Sequence, residues 1–172
     1  MNAPLAHETA ASIDAARFRA AFRRLVGGVS VITTGTGPTR TGLTATSVSA
    51  FSAEPPALTF NLARSSSTWA VLEGERRFGV NILAAEQRAI AERFSGFGGV
   101  KGADRYVGAE WTSAVTGAPL LVGALAALDC EVEEAIERHG HILVIGRIRA
   151  ALIGTSAVDP ALIYAHGGYG AA

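Results

Sequence analysis

Val29-Ser30-Val31-Ile32-Thr33-Thr34, the turn Gly35-Thr36-Gly37-Pro38-Thr39-Arg40, and Thr41-Gly42-Leu43-Thr44-Ala45-Thr46-Ser47 decide the fold class. The first run is β-branched almost throughout, and branching at Cβ suits pleated backbone. Two glycines and a proline break it, so the third run, Thr41 to Ser47, reads as the returning strand of a hairpin. Upstream, Asp14 can cap a helix carrying Phe18, Phe22 and Leu25 as one apolar stripe, with Gly27 and Gly28 ending it. Downstream, Pro55-Pro56 interrupts the chain before a short strand, Ala57 to Leu62. A brief helical pattern follows at Trp69 to Leu72, then a strand at Phe78 to Leu83. Glu86 to Phe94 reads as a helix, and Ser95 to Gly102 as a glycine-rich loop. Strands return at Leu125 to Val132, His141 to Ile153 and Ala161 to Tyr164. Strands and helices do not alternate regularly, so the expectation is a mainly β chain with inserted helices, a barrel rather than a doubly wound sheet. Residues 1–13 read as a flexible N-terminal segment and 14–172 as one domain, without repeats or a linker.

Composition sets limits. The chain has 172 residues, 49% hydrophobic and 17% charged, with 15 Lys+Arg against 15 Asp+Glu. A disordered chain has too little apolar surface to offset its ordering entropy, and this one has a surplus. Zero net charge argues against a nucleic-acid partner, which calls for a basic excess. Cys130 is the only cysteine, so no intramolecular disulfide and no cysteine-built zinc cage can form. The N-terminal stretch lacks a basic start and an apolar core, and does not read as a signal peptide. Leu25–Thr33, Pro119–Leu128 and Ile142–Ile153 are too short, or broken by Arg147 and Arg149, to span a bilayer. No membrane partner is expected, and a cytoplasmic location is the simplest reading.

Self-sufficient catalytic sets are missing from the sequence. Four histidines, His7, His139, His141 and His166, form no metal-binding spacing beyond a weak pair two apart. A nucleophile elbow, a phosphate-binding loop and a dinucleotide fingerprint are all absent. Small hydroxyl residues are instead concentrated in two places. Thr41, Thr44, Thr46, Ser47, Ser49 and Ser52 form one group; Ser65, Ser66, Ser67 and Thr68 form another beside Arg64. Hydroxyls, backbone N–H groups, an arginine and a helix start near Thr68 suit a phosphate-bearing, hydroxyl-rich ligand. The same residues also suit strand edges and helix caps. Cys130, Trp69 and Trp111 read as packing residues, Phe51 as a ring contact or packing, and the acidic run Glu131 to Glu137 as a solvated strand end and turn.

The order of motifs resembles the short-chain flavin reductase family, the reductase partners of two-component flavin monooxygenases. The resemblance runs from Phe18 to Tyr169. It rests on FRRLVGGVSVITT, TGLTATSVSAFSAEPPALTFNLARSSSTW, RRFGVNIL, ERF followed by DRY and W, GALAALDCEV, HILVIGRI and LIYAHGGYG. It implies an FMN-binding split β-barrel of Greek-key type, a homodimer with flavin sites at or near the subunit interface. The implied activity is that of an NAD(P)H:flavin oxidoreductase, passing hydride from NADH or NADPH to FMN or FAD and supplying a monooxygenase. The rival readings are a flavoprotein that holds its flavin tightly for a bound acceptor, and a non-catalytic flavin-binding module.

By this resemblance Arg40, Thr41, Gly42, Leu43 and Thr44, with Thr46 and Ser47, line the flavin ring. Asn61, Leu62 and Ala63 form the next flavin-contacting strand end. Arg64, Ser67 and Thr68 cradle the phosphate, and Arg93 and Phe94 close over the phosphate or adenylate side. Tyr164, Ala165, His166 and Gly167 receive the nicotinamide nucleotide, with His141 the candidate catalytic residue beside the nicotinamide. No metal is implied. Two positions depart from the family pattern. Gly140 stands where an acidic residue commonly precedes the histidine, and Gly168 where a cation often precedes the final tyrosine. Arg105 or Arg138 is the expected substitute for that cation.

Overall fold

The computed structural model describes residues 13–155 and 159–172. The expected flexible segment 1–13 lies outside the described residues except for Ile13. The chain is mainly β. After helix α1 (Ala15–Phe22) come β1 (Gly27–Gly28), β2 (Ser30–Thr34), β3 (Thr41–Ala45), β4 (Ser49–Ala53) and β5 (Pro56–Ala63). Helix α2 (Ser67–Glu75), β6 (Arg77–Ile82) and helix α3 (Arg88–Phe94) follow. Then come β7 (Trp111–Thr112), β8 (Leu120–Leu121), β9 (Ala126–Arg138), β10 (His141–Ile153), β11 (Leu162–Ala165) and β12 (Gly168–Ala171).

One seven-stranded sheet, in the order β3-β2-β6-β9-β10-β5-β4, is antiparallel throughout. Ile32 and Ala45 near one edge share a buried core with Leu58 and Phe60 near the other, together with Phe78, Cys130 and Val144. Strands so far apart in the order meet only if the sheet rolls around its own core. β2 is buried at all five positions, as its place between β3 and β6 requires. A second core joins Val29, Val31, Ala91, Phe94, Tyr106, Leu120 and Leu162. It fastens α3, the segment after it and β11 to the outside of the sheet. Cys130 is buried in the first core, where burial foremost and the Asp129 charge next push its thiol pKa up.

Several expectations are corrected. Gly27 and Gly28 do not end the first helix; Arg23 caps it, and the two glycines form β1, paired with Tyr164 and Ile163. A Cβ on Gly27 would come within 3.0 Å of the Thr46 side chain, so the strand needs glycine for that approach. The helix expected over Glu86 to Phe94 starts at Arg88, after a 3-10 turn at Ala85–Gln87. The acidic run Glu131 to Glu137 forms the second half of β9, an exposed strand end as expected but with no turn in it. Its outward carboxylates pair with arginines on the neighbouring strand, Glu131 with Arg149 at 3.2 Å and Glu133 with Arg147 at 3.7 Å.

Loop residues 113–119 are held to the sheet by buried polar groups. The Asn81 side chain, fully buried, donates to the Val31 carbonyl at 3.0 Å and to Thr33 Oγ1 at 3.3 Å. Its Oδ1 accepts from the Leu121 N–H at 2.7 Å. Buried Asp129 accepts from both the backbone N–H and the hydroxyl of Thr116. Replacing Asn81 by leucine would strand the Leu121 donor in a place water does not reach. Asn81→Leu is expected to lower the unfolding free energy by about 2 kcal/mol. Urea unfolding checks this, and an unchanged midpoint would refute the role of the network.

Candidate functional site

β3 carries the first group of candidate residues. The Arg40 guanidinium lies 4.5 Å from the centre of the Tyr106 ring, and its Nε is buried without a hydrogen-bond partner. Thr41 is buried, its Oγ1 is likewise unpartnered, and its carbonyl accepts from the Tyr106 hydroxyl at 2.6 Å. Burial raises the Tyr106 phenol above its ordinary range, against the pull of Arg40. Gly42 sits under Phe94: an added Cβ would come within 2.6 Å of that ring, so the glycine answers a packing demand. Leu43 packs on the first core, and the Thr44 hydroxyl donates to the Ala91 carbonyl at 2.6 Å. Thr46 is exposed. Ser47 Oγ accepts from the Asn61 N–H at 3.0 Å, tying this segment to the exposed Asn61, buried Leu62 and exposed Ala63 of β5.

The expected phosphate cradle is more committed than its composition implies. Ser66, not a later residue, caps α2 through its side chain, and Ser67 is exposed in the first turn. Thr68 is fully buried and its hydroxyl donates to the Gly42 carbonyl at 2.9 Å. Arg64 pairs with Glu137 at 3.3 Å, both side chains about half exposed. Arg93 donates to the carbonyls of Asp104 and Arg105, and Phe94 packs edge-on to Tyr106 at 5.1 Å inside the second core. Arg105 donates to the carbonyls of Gly42 and Val100, and desolvation lowers its pKa. Its guanidinium is therefore tied to backbone rather than offered to a nucleotide phosphate.

Two hairpins with the same turn chemistry place the histidines. β9 and β10 join through His139 (φ 53°) and Gly140 (φ 74°), and β11 and β12 through His166 (φ 54°) and Gly167 (φ 87°). Positive φ at both residues of a two-residue loop matches the twist of the flanking strands and favours glycine in second place. The hairpin thus accounts for Gly140. The ring of the exposed His141 meets the His139 carbonyl through Nδ1 at 3.2 Å. A carbonyl only accepts, so Nδ1 is the donor in this contact. His141 pairs with Ala63 across β10 and β5, beside Arg64 and Glu137, and away from the terminal hairpin. Arg138, the other candidate cation, donates to the Glu137 carbonyl at that same end.

The terminal hairpin meets β3 instead. A cavity of about 300 Å³ is lined by Phe18, Phe22, Thr46, Tyr164 and His166, and one of about 480 Å³ by Thr44, Thr46, Arg88, Glu92, Tyr164 and Tyr169. They share Thr46, Tyr164 and Gly167. The His166 N–H donates to the Arg23 carbonyl at 2.8 Å, joining the turn to the end of α1. Tyr164 and Tyr169 stack edge to face at 5.2 Å. Burial, then the Glu92 charge, raises the Tyr169 phenol, keeping it a neutral donor. Arg88, which nothing in the sequence singled out, lies 5.4 Å from the centre of the Tyr169 ring. Among the described residues no set of His, Cys, Asp or Glu is placed to hold a metal.

Comparison with known proteins covers both groups of residues. The model of the flavin reductase like domain matches residues 22–172. The reductase subunit HsaB of a flavin-dependent monooxygenase from Rhodococcus jostii is 35% identical over 139 residues, 81% of this chain and 69% of the relative. An NADH:FMN oxidoreductase from Rhodococcus qingshengii is 36% identical over 167 residues, 94% of this chain and 84% of the relative. Among solved structures, the NADH:FAD oxidoreductase of Streptomyces globisporus superposes with a TM-score of 0.82 at 26% identity, covering 98% of this chain and 93% of that one. With the family match spanning β1 to β12, the chain belongs to the flavin reductase like domain family.

Proposed function

We propose that this chain is an NAD(P)H:flavin oxidoreductase that takes hydride from a nicotinamide nucleotide, passes it to FMN or FAD, and supplies the reduced flavin to a separate flavin-dependent monooxygenase. The observation that carries this reading is the meeting of the two cavities along Thr46, Tyr164 and Gly167. Thr44 and Thr46, matched to flavin, then lie on one surface with Tyr164, Ala165, His166 and Gly167, matched to the nucleotide, the proximity that hydride transfer at roughly 3–3.5 Å between reacting atoms demands. The names of the relatives, among them an NADH:FMN and an NADH:FAD oxidoreductase, agree with it.

The residues present fit a flavin. Thr41 Oγ1 and Arg40 Nε are buried without partners beside β3, and Thr46 and Ser67 keep exposed hydroxyls. When bound, the flavin supplies the hydride acceptor and the nicotinamide the donor, so the chain needs no nucleophile of its own. Its residues bind and orient: hydroxyls and backbone N–H groups hold polar edges, and the half-exposed Tyr164 offers a ring face. Phe18 and Phe22 form an apolar rim of the smaller of the two cavities. His141, at the start of β10 beside Ala63, lines neither of these cavities, so this geometry does not carry the nicotinamide-side role that the resemblance implies for it.

The rolled sheet is read as the split β-barrel of the family, and the assembly as a homodimer. Helix α1 buries none of its residues, and Phe18, Phe22, Leu25 and Val26 are 49%, 57%, 64% and 56% exposed. A contiguous apolar patch of this kind on a globular chain marks an interface. A single, buried cysteine accords with a cytoplasmic setting.

Purified protein is expected to oxidise NADH or NADPH only when free flavin is added, followed by loss of nicotinamide absorbance. No turnover with either nucleotide and either flavin would refute the oxidoreductase reading. Flavin colour that survives gel filtration would overturn the diffusible-flavin part of it. Light scattering should give twice the chain mass. The exposed double change F18E/F22E should weaken self-association at least tenfold, by about 1.4 kcal/mol or more, while leaving the far-ultraviolet circular dichroism intact.

A further inference from the structure

Arg88 and Glu92 stand four residues apart on α3, with Nε 2.8 Å from Oε1, at the cavity of about 480 Å³ beside Tyr164, Gly168 and Tyr169. Such an exposed pair adds little to stability, so stability does not account for it. Arg88 is the sole cation among the residues lining that cavity. Its position over the Tyr169 ring orients the guanidinium plane, and among the described residues neither Nη has a protein partner. The cavity is open at Gly168, where an added Cβ would meet nothing within 4 Å. Near β3, Arg93 and Arg105 commit donors to backbone carbonyls, and Arg40 lies over the Tyr106 ring and is not among the residues lining this cavity.

We propose that Arg88 holds a phosphate of the nicotinamide nucleotide while Glu92 accepts hydrogen bonds from its adenosine ribose hydroxyls, so that the pair selects NADH over NADPH. This rests on the reading that the surface takes a nicotinamide nucleotide. The chemistry is direct. A guanidinium with two free nitrogens matches the paired oxygens of a phosphate. A carboxylate, an acceptor only, suits a ribose diol and repels a phosphate at the 2′ position. Its fixed hydrogen bond to Arg88 holds both groups in one geometry. Arg88 is thus a positioning and specificity residue, placed by helix α3 rather than by the terminal motif.

Isothermal titration with NAD⁺ and NADP⁺, together with steady-state kinetics, tests the assignment. Arg88→Ala should weaken NAD⁺ binding and raise KM for NADH about tenfold, as loss of a charge-assisted hydrogen bond does. Its kcat and its flavin KM should stay unchanged. Arg88→Lys should retain most of the affinity. Glu92→Gln should raise NADP⁺ affinity relative to NAD⁺ about tenfold. Equal NAD⁺ affinity in the parent and Arg88→Ala proteins would overturn the phosphate role, and an unmoved NAD⁺ to NADP⁺ ratio in Glu92→Gln would overturn the ribose role. NAD⁺ binding that depends on Arg88 in a protein unable to reduce flavin would refute the oxidoreductase reading and leave this one standing. Flavin reduction with a KM for NADH indifferent to Arg88 would do the reverse.

Discussion

The fully buried carboxamide of Asn81 is the contact on which the outer layer of the protein rests. It sits on a central strand, and its three hydrogen bonds reach Val31 and Thr33 of β2 and Leu121 of β8. A buried amide is tolerated only when so satisfied, and once satisfied it admits one arrangement of its partners. Leu120 and Leu121 are thereby seated in the second core, with Ala91 and Phe94 of α3 and Leu162 of β11. Those two elements carry Arg88, Glu92 and Tyr164. The position of the candidate cofactor surface thus depends on a polar group that no ligand touches. Asp129 reinforces it from the neighbouring strand by holding Thr116, whose carbonyl in turn accepts from Arg77 at 2.8 Å.

The backbone of β3 works as a second node. Tyr106 donates to the carbonyl of Thr41, and both Thr68 and Arg105 donate to that of Gly42, so α2 and the segment after α3 are clamped on one strand. This divides the hydroxyl-rich sequence into two populations. The hydroxyls of Thr44 and Thr68 are consumed by carbonyls, although Thr44 still lines the cavity of about 480 Å³. Thr46 and Ser67 remain exposed. Arginines divide the same way, Arg93 and Arg105 into struts and Arg88 into a group facing a cavity. Residue type alone does not separate strut from ligand; the hydrogen-bond partner does.

That division marks the limit of what was legible in the sequence. β2, the hairpin return, β5, β6 and β10 were readable because β-branched and apolar runs bounded by glycine or proline leave little choice of backbone. The character of Glu131 to Glu137 was not readable. Its charges read as a solvated strand end and turn, and that β9 continues through them shows only once Arg147 and Arg149 are brought opposite, in a register that depends on bulges after Ile145 and Ile148. Gly27 failed for a related reason: its glycine requirement comes from Thr46 across space, and with Gly28 beside it the residue mimics a helix stop. Motif order carried the family, which no local pattern could. It pointed to the terminal motif and β3, and the structure brings those together. It left Arg88 unnoticed, because a cation from α3 reaches Tyr169 only through the packing of the second core.

The sparse charge of the chain, 17% with no net excess, also acquires a geometry. Part of it is laid out as ion pairs on one face, where Glu131 and Glu133 of β9 meet Arg149 and Arg147 of β10, and Glu137 meets Arg64 just past β5. That face is solvated by its own ion pairs. The opposite economy holds at α1, whose aromatic residues stack on each other at 4.4 Å and remain exposed. Phe18 and Phe22 line the same cavity as Tyr164 and His166, so the apolar patch and the candidate nucleotide surface are continuous. A second copy laid on that patch would remove water from the apolar wall of the cavity and strengthen every polar contact inside it. Assembly and hydride transfer would then draw on one surface, which is a physical reason for the patch to stay apolar although a charged helix face would be more soluble.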